Sequence, residues 1–404
     1  MRNHSFRFLW MGQSLANLGD VFYIVSLIST IYLLTGSAVY IALLPFFSMS
    51  ARFFGALAAP YVMDRYSLPS LLACSQGGKT LLLLVLAISY PYLTKEAILV
   101  TFLFVIGIAF LDGWATPASY ALIPRLVEKE RLVKANGWMG VVTQTIQLSA
   151  WPLGGILVAF WSPESVMWMT VSLYAGSAML AGMLAKRHTV SAVQGDHSSK
   201  DRRAGWKAIW KSPFLRLVTF VDMIEVNAGV VWVAAIMYVY VAEVLQTSEA
   251  WWGYINSSFF AGLIIGGLIA IKVDQLLHEQ TRKVVILTAW IGALSTLTFG
   301  LITNPWTALV LSALFGFASQ IKGITQDTLL QLKVKEHELP KVYAAQEAVS
   351  FSTYAISTLL AGVLVEAAGV RFVFLLAGGM LIFGAVLVVV FRRFIIFESV
   401  KNPS

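Results

Sequence analysis

Charge is what this chain has least of. Only 12% of its 404 residues are Asp, Glu, Lys or Arg, against about 25% in a soluble domain. Hydrophobic residues make up 58%, and the mean hydropathy is +0.75, so a water-soluble globule is excluded. Cysteine is nearly absent: the single Cys74 allows no intrachain disulfide. It falls in an apolar run and reads as a small packing residue. Histidine is scarce as well. His4, His188, His197, His278 and His337 all fall in polar segments, which leaves none for a proton relay at the midplane of a membrane. No Gly-rich loop ending in Lys-Ser/Thr occurs, which excludes a P-loop ATP-driven pump within the chain. No paired Cys/His spacing suggests a metal site. No enzyme chemistry, cofactor or metal is therefore expected. Nor is a cleavable signal peptide evident, because the first apolar run is too long for an h-region and lacks a small-residue cleavage site.

What the chain does have is twelve long apolar stretches. They fit at 8–34, 38–62, 70–91, 97–118, 135–160, 165–185, 213–244, 251–271, 284–302, 306–327, 343–367 and 371–391. A bilayer core of ~30 Å needs about 20 apolar residues per helix, so each can span. The expected fold class is an all-α polytopic membrane protein with twelve transmembrane helices. The net charge of +8 is topological in origin. With the N-terminus placed inside, 24 of the 29 basic residues fall in inside segments, and only Lys95 and Arg371 in outside loops. This is the positive-inside pattern, and it puts both termini in the cytoplasm. A nucleic-acid partner is not implied.

The longest polar stretch, 186–211, separates an N-terminal six-helix bundle (1–185) from a C-terminal one (212–404). Its first part, with Gly195, Asp196, Ser198 and Ser199, reads as a flexible linker. Its second part is either an ordinary basic linker or an amphipathic helix with Trp206 and Trp210 at headgroup depth. The halves look like a repeat at an offset of 207: Glu130–Lys134 aligns with His337–Lys341, Gly155–Val158 with Gly362–Val365, and Asp20 with Asn227. Two parallel six-helix halves around a midplane cavity are a recurring plan of secondary transporters.

Several short motifs carry a family resemblance. Phe8-Leu9-Trp10-x-x-Gln13 is followed by Leu18-Gly19-Asp20; later come Ala115-Thr116-Pro117-Ala118, Leu122-Ile123-Pro124 and Leu132-x-x-Ala135-Asn136. Together they resemble a bacterial branch of the major facilitator superfamily that includes macrolide-efflux and siderophore-export proteins. The resemblance implies two pseudo-symmetric bundles in the cell's inner membrane. It also implies a charge relay between helices two and three, where the family reads Gly-x-x-x-Asp-Arg-x-Gly-Arg. Here Asp64-Arg65 stands in place, with Pro60 for the leading Gly and Ser67-Leu68 for the trailing pair. Asp64 is expected to accept hydrogen bonds from a helix N-terminus of the other half, or else to sit in a simple charged turn. The family's helix-five antiporter signature survives only as Trp151-Pro152-Leu153-Gly154-Gly155, where Pro152 predicts a bend. No Arg lies between Lys95 and Arg125, so the helix-four basic motif of proton-coupled drug exporters is missing.

An ionisable side chain at the bilayer centre costs roughly 2.5–3.5 kcal/mol on insertion scales, so each one calls for a reason. Asp20 lies twelve residues past Phe8, and Arg52 twelve before Asp64, which sets both about 18 Å from the inner end. An Asp20–Arg52 ion pair is expected, either switchable in the cavity or a permanent lock. Asp222 and Glu225 lie three apart and share a helix face with Asn227 nearby. Glu225 is the deeper and the first choice for proton coupling, whereas Asp222 either joins it or snorkels to the interface. Lys79, Asp112, Lys322 and Asp327 are placed nearer the inner ends, as gate pairs or as snorkelling side chains; Glu347 lies there too. Trp138, Gln144, Gln147 and Trp151 line the cavity or else pack against lipid and neighbouring helices. Gly262-x-x-x-Gly266 and Ala51-x-x-x-Gly55-x-x-x-Ala59 read as sliding contacts between the halves.

The expectation is a secondary transporter that exports an amphipathic small molecule by alternating access. Protons are the coupling ion, lipids the surroundings, and a monomer the expected state. Two alternatives stand beside it. Leu132-Val133-Lys134-Ala135-Asn136-Gly137 and Leu18-Gly19-Asp20 also resemble lysophospholipid transporters, which implies a lipid flippase of the same fold. A non-transporting receptor or scaffold would leave the midplane charges paired and static.

Overall fold

The computed structural model describes residues 4–36, 38–94, 98–187, 203–232 and 234–395. Lys95, His188, His197 and the linker residues Gly195, Asp196, Ser198 and Ser199 lie outside them. Among the described residues there is no β-strand. The helices are α1 (His4–Thr35), α2 (Ala38–Met63), α3 (Leu68–Ser89), α4 (Ile98–Leu126), α5 (Leu132–Phe160), α6 (Pro163–Arg187), α7 (Ala204–Lys211) and α8 (Pro213–Gly229). They continue with α9 (Ala234–Tyr240), α10 (Ala250–Lys272), α11 (Asp274–Glu279), α12 (Thr281–Leu301), α13 (Pro305–Lys333), α14 (Leu339–Ala368) and α15 (Val370–Val390). Among the described residues eleven are long and apolar enough to cross a membrane, or twelve if α8 and α9, bent by 50°, count as one span.

Local chemistry explains where these helices start. Ser67 caps α3, Ser212 caps α8 and Asn304 caps α13, each accepting from backbone N–H groups of the first turn. A proline follows each cap in the first turn, where its missing N–H costs nothing. Several helices overrun the apolar stretches: α13 continues to Lys333, past the expected end at 327. Hydropathy falls off at the first charges, whereas backbone hydrogen bonding does not.

The stretch 213–244, expected as one span, is broken. A short 3-10 turn, Val230–Trp232, ends α8, and α9 runs into a single π-turn at Val241–Leu245. Trp232 anchors the break. Its ring stacks on Phe315 at 4.5 Å and meets Phe299 edge-on at 4.8 Å, while its Nε1 donates to Thr296 at 3.3 Å. Tertiary packing of this kind is invisible to a composition window.

The chain forms two compact units. One comprises Met1–Glu128, Thr145–Lys207 and Glu336–Phe351; the other comprises Lys129–Gln144, Ala208–Lys335 and Ser352–Ser404. Thus α5 and α14 each begin in one unit and end in the other. In the first unit α1 packs on α6, α2 on α4, and α3 on both α4 and α6; in the second α10 packs on α13, and α12 on α13 and α15. The small-residue faces work inside these units and do not slide between halves as expected. A Cβ at Gly55 would lie 2.3 Å from the Phe110 carbonyl oxygen, and one at Gly262 2.1 Å from that of Ala313. Glycine there lets α2 touch the backbone of α4, and α10 that of α13.

Candidate functional site

Four charges meet in the interior of the first unit, each near the middle of its helix. Lys79 is the centre, with no exposed surface. Its Nζ donates to Asp20 Oδ1 at 2.7 Å and to Asp112 Oδ1 at 2.6 Å. The other Asp112 oxygen accepts from Arg52 at 2.8 Å. Tyr174 of α6 donates its hydroxyl to Asp20, and its ring lies 4.6 Å beneath Lys79 Nζ. That ring belongs to the apolar core with Tyr23, Leu27, Leu83 and Met167. It fits against α1 because residue 19 is glycine; a Cβ there would sit 2.7 Å from the ring. Gly55 and Gly113 likewise bring α2 onto α4 beside Arg52 and Asp112.

Two expectations change here. Asp20 and Arg52 do not pair directly; each bonds a different oxygen-bearing or cationic partner, and the Lys79–Asp112 pair links them. Sequence depth placed them level, but only packing decides which helix faces which. Lys79 and Asp112 are also not inner-end groups. Lys79 is the twelfth of 22 residues in α3 and Asp112 the fifteenth of 29 in α4, so snorkelling is excluded for this lysine. Glu347 of α14 also belongs to this unit, half-buried and within electrostatic reach of Arg52. Tyr174→Phe removes one charge-assisted bond and should cost about 1.5–3 kcal/mol, read as a lower melting temperature of the purified protein.

In the second unit α8 and α13 face each other through a two-rung ladder. Asp222 and Glu225 lie three apart on α8; Lys322 and Gln326 lie four apart on α13. Lys322 Nζ donates to Glu225. Gln326 Nε2 lies 2.7 Å from both oxygens of Asp222. The two carboxylates therefore do share a face, as expected, but their partners differ: one is a cation and the other a neutral amide. No cation contacts Asp222 among the described residues. Asn227 is half-buried two residues beyond Glu225. Asp327 does not pair with Lys322, because five residues along a helix turn it about 140° away from that face. Phe214, Leu217, Val218, Val221, Val285 and Leu329 line a narrow crevice of ≈ 20 Å³, room for about one water, whose polar lining is Lys322 and Gln326.

A third set of contacts ties down the first turns of α5 and α14. In the first unit Lys341, 3% exposed, bonds Asp64 at 2.5 Å. Tyr343 packs on Tyr120 at 5.6 Å, and Arg125 pairs with Glu336 at 3.0 Å. In the second unit Lys134 bonds Asp274 at 2.9 Å, and Asn136 bonds Thr328 at 3.0 Å and Gln331 at 2.8 Å. Lys134 and Lys341 are the two lysines related by the 207-residue offset. Asp64 thus meets a helix start, as expected, but through a lysine side chain in the first turn of α14. Arg65 is exposed beside it.

The chain has relatives among known proteins. The family model for the Major Facilitator Superfamily matches residues 9–345 and 226–403. The MFS-type transporter YfmI of Bacillus subtilis (strain 168) is 32% identical over 378 residues, covering 93% of each chain. The chain belongs to the Major Facilitator Superfamily. It is a multi-pass membrane transporter and not an enzyme. This superfamily member is also similar to the enterobactin exporter EntS of Salmonella choleraesuis (strain SC-B67), at 24% identity over 315 residues, 77% of this chain and 74% of the other. A bacterial homologue of the iron transporter ferroportin, solved in an outward-facing state, superposes with a TM-score of 0.80 at 12% identity, over 96% of this chain and all of the other. The Escherichia coli fucose:proton symporter FucP gives 0.71 at 14% identity, over 96% and 98%. At these identities the structures speak for the fold alone.

Trp138 and Trp151 are exposed, and Gln144 and Gln147 half-buried. Sequence reasoning missed Tyr174 and Gln326 as partners of the charged groups. Gly19 beside Asp20 was a usable signal for Tyr174, since a glycine next to a buried acid marks a close approach. Gln326, one turn from Lys322, was another.

Proposed function

We propose that this transporter exports an amphipathic small molecule in exchange for protons, by alternating access in the cytoplasmic membrane with both termini inside. The observation that carries the proposal is the α8–α13 ladder. Lys322 neutralises Glu225, whereas Asp222, one turn away, is held among the described residues by a neutral amide. An intramembrane carboxylate without a contacting cation is costly, and the cost falls when it takes up a proton. Asp222 is therefore the proton carrier, and Glu225–Lys322 is the neighbouring charge pair that changes its field when substrate competes for Lys322. The exporter relatives support the direction. In the first unit, Asp20, Lys79, Asp112 and Tyr174 act as a fixed lock, with Arg52 at its edge facing Glu347.

The amphipathic substrate class rests on the likeness to the enterobactin exporter EntS, with Lys322 and Gln326 as polar groups beside the apolar residues of α8. The halves 1–185 and 212–404 are the moving bodies, and Lys341–Asp64 with Lys134–Asp274 hold their inner ends together. The test is uptake into inside-out vesicles under an imposed pH gradient. Native protein should accumulate substrate only with an acidic lumen. Asp222→Asn should abolish the gradient dependence while Asp20→Asn lowers protein stability instead. Gradient-driven uptake unchanged in Asp222→Asn would remove this residue from the mechanism.

A further inference from the structure

The short helix α7 has three stripes. Gly205 and Ile209, one turn apart, are buried. Trp206 and Trp210 form the next stripe, the latter 70% exposed. Lys207 and Lys211 form the third, with Arg203 just before the helix. The buried stripe touches the gate directly. A Cβ on Gly205 would lie 2.1 Å from the Lys341 carbonyl oxygen, and Lys341 is the residue that bonds Asp64 at 2.5 Å. Only a glycine lets α7 rest on the backbone of the first turn of α14.

We propose that α7 is a membrane-surface strap: Trp206 and Trp210 enter the headgroup layer, Lys207 and Lys211 bind anionic lipid phosphates, and Gly205 thereby holds Lys341 in its ion pair with Asp64. The occupant follows from charge and side-chain type. Exposed indoles beside lysines on a short amphipathic helix suit the interface of an anionic leaflet. A basic residue near such a surface is worth about a fivefold change in affinity. The coupling of α7 to opening rests on reading Lys341–Asp64 as a gate, whereas the lipid seat does not.

The test uses full-length protein carrying Cys74→Ser in vesicles of phosphatidylcholine with and without phosphatidylglycerol. A polarity-sensitive dye on Ala208→Cys reports the seat. A separate Ala344→Cys, buried in the first turns of α14, reports opening through its rate of thiol labelling. Phosphatidylglycerol should shift the dye emission to the blue and slow Ala344→Cys labelling. Lys207→Gln with Lys211→Gln should raise the phosphatidylglycerol needed by about 25-fold. Gly205→Leu should speed labelling in both lipids. Emission that ignores phosphatidylglycerol overturns the strap. A shift with unchanged labelling in both lipids, while Asp64→Asn does speed labelling, overturns the coupling of α7 to the gate. Unchanged labelling in Asp64→Asn overturns the gate reading and with it the coupling, but leaves the lipid seat supported by the emission.

Discussion

Lys79→Met lowers the stability of the transporter by about 3–5 kcal/mol, the cost of removing one partner from a buried ion pair, and its transport activity is lost with it. The lysine is fully enclosed and bonds two carboxylates, Asp20 and Asp112. Methionine fills nearly the same volume, so packing is conserved and the loss is electrostatic. Arg52 still reaches Asp112 in the variant, but Asp20 keeps only the Tyr174 hydroxyl. Adding Asp20→Asn to Lys79→Met should therefore return most of the stability, because the unmatched charge is gone. Adding Glu225→Gln, in the other unit, should return none. Melting in detergent, followed by aggregation or intrinsic fluorescence, measures all three.

Asp64→Asn should open the inner end of the transporter. Lys341 is almost wholly buried and Asp64 is its acidic partner at 2.5 Å; losing that charge-assisted bond costs about 1.5–3 kcal/mol. If the bond exists in only one of two global states, such a cost shifts their ratio by roughly 10- to 150-fold. Labelling of Ala344→Cys should accelerate accordingly, and substrate affinity from the cytoplasmic side should rise. The charge swap Asp64→Lys with Lys341→Asp should move both readouts back toward native values, whereas Asp64→Lys alone leaves two lysines facing each other. Lys134 and Asp274 supply the equivalent bond for α5, so a variant lacking both pairs should exceed either single loss.

The membrane class, the helix count and the list of intramembrane charges were legible in the sequence because each follows from local composition. Asp20, Arg52, Lys79, Asp112, Asp222, Glu225 and Lys322 stand out against apolar surroundings whatever they touch. Their partners were not legible. Choosing Lys79 over Arg52 for Asp20 depends on α3 facing α1, which no periodicity in a uniformly apolar helix reveals. The break after Gly229 was hidden for a related reason: Val230, Val231 and Trp232 look like any apolar turn until Phe299 and Phe315 are brought against them. The repeat offset carried more than it first showed, since it pointed to Lys134 and Lys341 as equivalent lysines before either had a partner.

On the proposed mechanism α8 exchanges a proton when substrate binds. The most direct test of this exchange is proton release from purified protein in weakly buffered detergent on addition of siderophores, macrolides, lipophilic cations or lysolipids. Protons should be released with a compound that binds, and Asp222→Asn should bind it without release. Saturable binding to the native protein with no proton released, or release that persists in Asp222→Asn, would contradict this mechanism.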